Sequence, residues 1–524
     1  MHFRLSYLPP LMVYLAAGIA GLTAIVGTFF VKEYLDLTAE ALAAVAFWAG
    51  IPWTLKIPVG HLVDLIWRWK AWLVVLGALL ITLSIAIMIG LVFEPEMLLS
   101  RASATTWFLL AALLAPLGFV LQDVVADAMT VEAVPRIDAT GAPLDPAEIK
   151  QMHGDMQLLG RLAILGGLVL VSLFNVVMLD GVELLAPAEQ RAAYGKVYII
   201  ALTIPAVSVL GIILQAIRLN RQKRILARAG VPLEDIDRRL FGRGEAPPVD
   251  WKILLGGAAF ITVALGSKLL DLPFAEEMVL ALSLAIILFL MREIVDALDP
   301  EARRVLIGTA IIVFAFRAVP LPGPGSGWWQ IDLLGFDQPF LATLSLIASG
   351  LTLIGLFVFR NFMVKSTMVR IIVILSVAQA ILALPDLAMY YGFHEWTAAH
   401  TGGMVDQRFI AMINTAAESP LGQVAMVPML AWIANSAPDN LKATFFAVMA
   451  SFTNVALSAA ALGTKYLNQI FTITREVRDP VTNTVTVVAD YSELGWVFIV
   501  VTALTLLLPL ASIGLIRVLG LRAA

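Results

Sequence analysis

The sequence predicts an all-α membrane protein of two six-helix halves with an extra two-helix hairpin inserted between them. Three observations carry that expectation. Charge is scarce, apolar runs of membrane-spanning length recur along the whole chain, and basic residues collect on alternate connections.

Hydrophobic residues fill 60% of the 524 positions and charged residues 14%. A soluble domain carries about a quarter charged residues because its surface faces water, so the bilayer is the solvent that suits this composition. The net charge of -4 is small and points to no nucleic-acid partner. Cysteine is absent, which excludes disulfides, thiolate metal sites and cysteine nucleophiles.

A spanning helix needs about 20 mainly apolar residues. Fourteen runs qualify, near 8–31, 40–60, 71–93, 106–130, 155–178, 196–218, 251–270, 275–292, 303–319, 338–359, 367–392, 407–435, 441–468 and 494–518. The first is too long for a signal-peptide core and lacks a small-residue cleavage pattern, so it is expected to stay as a helix. Several runs hold Gly or Pro, which membrane helices tolerate. The eighth is short, and the ninth runs into PGPGSG at 322–327, a Gly-rich stretch with no P-loop Lys that reads as a turn.

Lys and Arg accumulate on cytoplasmic loops. The polar connection 219–250 holds Arg221, Lys223, Arg224, Arg228, Arg238, Arg239 and Arg243. Placing it inside also puts Arg68, Lys70, Arg303, Arg304, Arg360 and Lys365 inside, with both termini. The loops at 94–96, 180–189, 320–327 and 472–492 then fall outside.

The window from Phe29, FFVKEYLDLTAEAL, aligns without gaps on WWQIDLLGFDQPFL from Trp328. Aromatic pair meets aromatic pair, Leu35 meets Leu334, Leu37 meets Phe336, Thr38 meets Asp337, and Leu42 meets Leu341. Each copy leaves one helix, turns, and opens the next with an N-cap candidate. Duplicated bundles are common in transporters. The expected organisation is therefore 1–218 and 303–524 as six-helix bundles, 219–250 as a cytoplasmic linker, and 251–302 as the inserted hairpin.

Ionisable residues at membrane depth are costly and are functional candidates by default. Here they are Lys56, Asp123, Asp127, Arg161, Lys268, Asp271, Arg317, Asp386, Glu418 and Lys465. Asp123 and Asp127 share a helix face. Asp127 has Arg161 as a candidate ion-pair partner, and Asp123 is a candidate proton acceptor that couples proton flow to transport. Arg317 either holds a substrate carboxylate in its planar fork or snorkels to the outer surface. Asp386 follows Pro385, and Glu418 precedes Pro420 with Asn414 one turn away, where a broken helix can open a polar site. Trp53, Trp67, Trp72, Trp328 and Trp329 are expected as interface anchors. The five histidines are scattered with no metal-ligand spacing, so neither metal nor cofactor is expected.

The loop after the second span reads GHLVDLIWRWK, with Gly60, Asp64 and Arg68 four residues apart. It resembles the loop signature of the major facilitator superfamily, with Leu65 and Trp67 replacing the usual Arg and Gly. The resemblance implies a conformational latch made by Gly60, Asp64, Arg68 and the preceding Lys56, closing on a helix N-terminus near Asn440. Three segments, IPWTLKIPVGHLVD, DVVADAMTVE and MVPMLAWIANSAPDNLKATFFAVMASFTNVALS, together resemble the folate-biopterin transporter (BT1) family. The chain departs from that family's pattern at Ile57, Asn440 and Lys442.

The resemblance implies a carrier, not an enzyme, working by alternating access. The expected function is proton-coupled symport of a folate- or pterin-like organic anion. Arg317, Glu418, Asp386 and Asn414 are the substrate candidates, and Asp123, Asp127 and Arg161 the coupling candidates. The alternatives are an exporter of another amphipathic metabolite or drug, and an assembly factor for membrane pigment–protein complexes. The expected partners are the solute, a proton or other coupling ion and the lipid bilayer of the cell inner membrane, with the protein acting as a monomer.

Overall fold

A computed structural model describes residues 4–35, 37–135, 144–232, 235–236, 240, 249–270, 272–296, 298–436, 442–478 and 485–523. Asp271 and Asn440 lie outside them.

The first expected span is two helices, α1 (Leu8–Gly18) and α2 (Ala24–Tyr34), joined by a 3₁₀ segment at Ile19–Thr23 where Gly18 and Gly21 weaken the helix. The second is split likewise into α3 (Ala39–Gly50) and α4 (Lys56–Leu65) by a 3₁₀ segment at Ile51–Leu55. Pro52 causes this break, since it supplies no N–H and clashes with the preceding turn. Then follow α5 (Ala71–Phe93), α6 (Ala104–Ala133), α7 (Pro146–Met178), α8 (Pro187–Ala201) and α9 (Thr203–Arg228). The hairpin is α10 (Trp251–Leu269) and α11 (Ala275–Asp296).

The remainder begins with α12 (Pro300–Arg317), α13 (Pro324–Asp332), α14 (Gln338–Val358), α15 (Met368–Leu382) and α16 (Leu384–Tyr390). It continues with α17 (Gln407–Glu418), α18 (Met426–Ser436), α19 (Lys442–Ile470) and α20 (Leu494–Val518). An antiparallel ribbon of β1 (Val477–Arg478) and β2 (Val485–Val487) sits in the last long loop. Nine helical runs among the described residues are long and apolar enough to cross a membrane. The other five expected spans coincide with helices that fall short in length, apolar content or low charge, such as α11 with Glu276, Glu277 and Arg292.

The chain divides into two compact units. One holds Met1–Ala24, Pro58–Phe174 and Ala186–Gly257, and the other Ile25–Ile57, Asn175–Leu185 and Ala258–Ala524. In helices 1 and 2 of the sequence the division falls beside the 3₁₀ segments. In the first unit α5 and α6 pack backbone to backbone, because a Cβ at Gly77 would lie 2.5 Å from the Gly118 carbonyl oxygen. Gln122 ties this contact to α9: its Nε2 donates to Val74 O at 3.3 Å, and Ser208 Oγ donates to its Oε1 at 2.8 Å.

In the second unit the two aligned windows play the same structural parts. Phe29, Phe30, Trp328 and Trp329 are all buried, as are Leu35, Leu334, Leu37 and Phe336. Thr38 Oγ1 accepts from Ala41 N at 3.1 Å and Asp337 Oδ1 from Phe340 N at 2.9 Å, so both predicted N-caps form. The windows also meet, with Ala39 and Leu42 packing in one cluster with Trp328, Leu334, Phe336 and Leu341. Trp328 and Trp329 at 2% exposure, and Trp67 at 5%, are core residues and not interface anchors. Trp72, at 65%, is exposed as an anchor would be. The PGPGSG stretch is a turn only at its start. Gly323 takes φ 87° against Asn468, and Pro324 then opens α13, a position where its missing N–H costs nothing.

From Ala258 onward the hairpin is clamped within this unit. Glu276 accepts from Trp48 Nε1 at 2.9 Å and pairs with Lys465 at 3.4 Å, while Tyr466 donates to Glu277. Phe47, Ile51, Phe260, Ala264, Val279 and Leu462 fill the space between.

Candidate functional site

The residues singled out from the sequence fall into three groups. In the second unit Asn414 and Glu418 stand one turn apart on one face of α17. Asp386 opens α16, which packs against α17, and it feels the charge of Glu418. Asp386 is half-buried and Glu418 is exposed. Among the described residues neither carboxylate has a hydrogen-bond or ion-pair partner. The Asn414 side chain is 9% exposed, and its Oδ1 is buried with no hydrogen bond. A buried amide oxygen without a donor is costly, so two carboxylates and this oxygen make an acceptor-rich patch.

The patch exists because α17 breaks. Pro420 cannot continue the helix, and Ser419–Leu421 turns as 3₁₀. The Ser419 carbonyl accepts from Gly422 N at 3.1 Å and from Thr352 Oγ1 of α14 at 2.9 Å. Gly355, one turn along α14, lets the Pro420 backbone approach closely. Arg317 is elsewhere in the unit. Its Nε donates to the Thr453 carbonyl of α19 at 3.3 Å, so it is held against a neighbouring helix, and its charge is not among those felt by Asp386 or Glu418.

In the first unit Asp127 accepts from Tyr14 Oη at 2.6 Å. Asp123 and Arg161 also bear electrostatically on that hydroxyl, so α1, α6 and α7 converge there. Sequence reasoning missed Tyr14. Its signal was a hydroxyl aromatic within an otherwise apolar first helix.

At the far end of α4, Gly60 faces Val124 at an ordinary contact distance of 3.9 Å from a built Cβ, so the position does not sterically require Gly. Asp64 is half-buried and Arg68 is exposed, with its guanidinium 5.3 Å from the Trp67 ring centre. Lys70, 8% exposed, pairs with Glu132 at the end of α6 and donates to Trp67 O at 3.2 Å. Lys56 starts α4. The Asn440 end of the expected latch lies outside the described residues.

The profile of the BT1 family matches residues 257–519. The chain belongs to the BT1 family. That family is a branch of the major facilitator superfamily, and this BT1 chain is similar over 219 residues, at 25% identity, to a folate-biopterin transporter of Synechocystis sp.. The matched stretch is 41% of this chain and spans 39% of that relative's length.

Among solved structures, the BT1 chain is similar to a POT peptide transporter at TM-score 0.59 and 14% identity, covering 98% of this chain and 94% of the other. A POT family transporter in complex with 5-aminolevulinic acid gives TM-score 0.59 at 13% identity, covering 98% and 95%. At such identities the likeness establishes the fold alone. Pro428 and Asn454 lie inside the family match, whereas Pro52, Asp64, Asp123 and Asp127 precede it.

Proposed function

We propose that this BT1 chain is a secondary carrier that moves a small organic anion by alternating access, driven by protons. The observation that carries the reading is the acceptor-rich patch of Asp386, Glu418 and the buried Asn414 oxygen in a major-facilitator bundle. Such groups at membrane depth are expensive and are kept for a substrate or an ion.

The substrate class is a folate- or pterin-like solute. A 2-amino-4-oxopyrimidine edge presents adjacent N–H donors that a carboxylate accepts in pairs. The patch supplies that acceptor. Arg317 is suited to an anionic tail, because Thr453 occupies its Nε and fixes the plane of its fork. Proton coupling is assigned to Asp123, beside the Tyr14-held Asp127.

The test is uptake into proteoliposomes with an imposed pH gradient, using labelled pterins and folates. Accumulation that collapses with a protonophore is expected. No flux of any of these solutes through correctly folded protein overturns the substrate reading. Asp123→Asn is expected to abolish uphill accumulation while leaving downhill exchange. Gradient-driven accumulation at the parent level would remove Asp123 from coupling.

A further inference from the structure

We propose that Arg475, acting with the Lys32–Asp332 ion pair, is a latch that holds the chain closed at the end of the bundle that loop charge assigns to the outside. The inference rests on the alternating-access reading above.

A helix ends with carbonyls that lack intrahelical donors. At the end of α2 the Lys32 and Leu35 carbonyls both accept from the Arg475 guanidinium, which comes from a loop 440 residues along the chain from Leu35. Arg475 is 4% exposed, and its guanidinium carbon lies 5.9 Å from the Trp328 ring centre. A cation at a helix C-terminus is also favoured by the helix dipole. Beside it Lys32 Nζ lies 2.5 Å from Asp332 Oδ1, and Tyr491 donates to the other oxygen of the same carboxylate. Burial, and the carboxylate it donates to, push the Tyr491 hydroxyl well above its ordinary value, so it stays a donor. The clasp thus draws on α2, α13 and the loop before α20.

Two features make this a latch and not a fixed strut. Its contacts are polar and lie at a helix end, where water can replace each of them when it opens. The clasped segment, 25–57, begins just after one 3₁₀ break and ends just after the other, and the division between compact units falls beside each of them. Short 3₁₀ stretches inside helices are natural hinges. Releasing Arg475 would therefore free a segment with a pivot at either end.

Because the chain has no native cysteine, Ala39→Cys gives a single reporter. Ala39 is 1% exposed beside Trp328. Right-side-out vesicles are treated with a membrane-impermeant maleimide, with no solute present. The reporter is expected to label slowly in the parent and several-fold faster when combined with Arg475→Gln or Asp332→Asn. A control, Ala201→Cys, fully buried in the other unit, is expected to stay unlabelled in all backgrounds. Parent-rate labelling of Ala39→Cys in both variants overturns the latch, and so does equal labelling of the control, which would mean unfolding. The label reads conformation without transport. Failure of the uptake assay and failure of the latch are therefore separately visible.

Discussion

A single hydroxyl shows how a costly charge is made tolerable at membrane depth. Asp127 has Tyr14 as a donor at 2.6 Å, and interhelical hydrogen bonds within membranes are worth about 0.6 kcal/mol on average. Tyr14→Phe is therefore expected to lower thermal stability only slightly, while slowing uptake because Asp127 loses one donor. A calorimetric midpoint alongside the initial rate of uptake would check this; an unchanged rate would make the contact purely structural. The aspartates were legible because a charge in an apolar run stands out. Tyr14 was not, because an aromatic there has the same outline whether it packs or bonds. Lys70 was hidden for another reason: in sequence it was one more basic loop residue, and only burial against Glu132 sets it apart.

At the scale of elements, proline marked the places where helices break, and the structure adds what satisfies the break. Pro420 turns α17 aside, Thr352 caps the exposed Ser419 carbonyl, and Gly355 leaves room for the turn. Gly355→Ala would drive a methyl into the Pro420 backbone, and overpacking of this kind costs about 1–3 kcal/mol. Thr352→Val keeps the shape and loses one hydrogen bond, worth about 1 kcal/mol. The expected order of thermal midpoints is parent, then Thr352→Val, then Gly355→Ala, with weakened substrate affinity in the last because Asn414 and Glu418 ride on the same helix. The 3₁₀ segment at Ile51–Leu55 could be anticipated from Pro52. That at Ile19–Thr23 could not, since glycines are common in intact membrane helices.

At the scale of the whole molecule, composition and loop charge were enough for a multi-helix membrane fold, and three short segments, largely helical, were enough for the family. Packing was less legible. The halves marked by the repeat are 1–218 and 303–524, yet residues 25–57 cluster with the later part of the chain, because contacts at one end of a bundle depend on the conformation adopted and not on ancestry. The meeting of the two aligned windows carries a further implication. Ala39 and Leu42 from one copy pack in the same cluster as Trp328, Phe336 and Leu341 from the other. On our proposal that the two windows are copies of one ancestral segment, this is the contact such a segment would make with its own twin. A parallel pair of six-helix ancestors joined about a two-fold axis needs such a self-complementary patch. In the same alignment Lys32 stands opposite Ile331 and Asp332 opposite Glu33, so an acid is present in both copies and a cation in one: a pair that two-fold symmetry would make twice is left here with a single cation, Lys32, which takes Asp332.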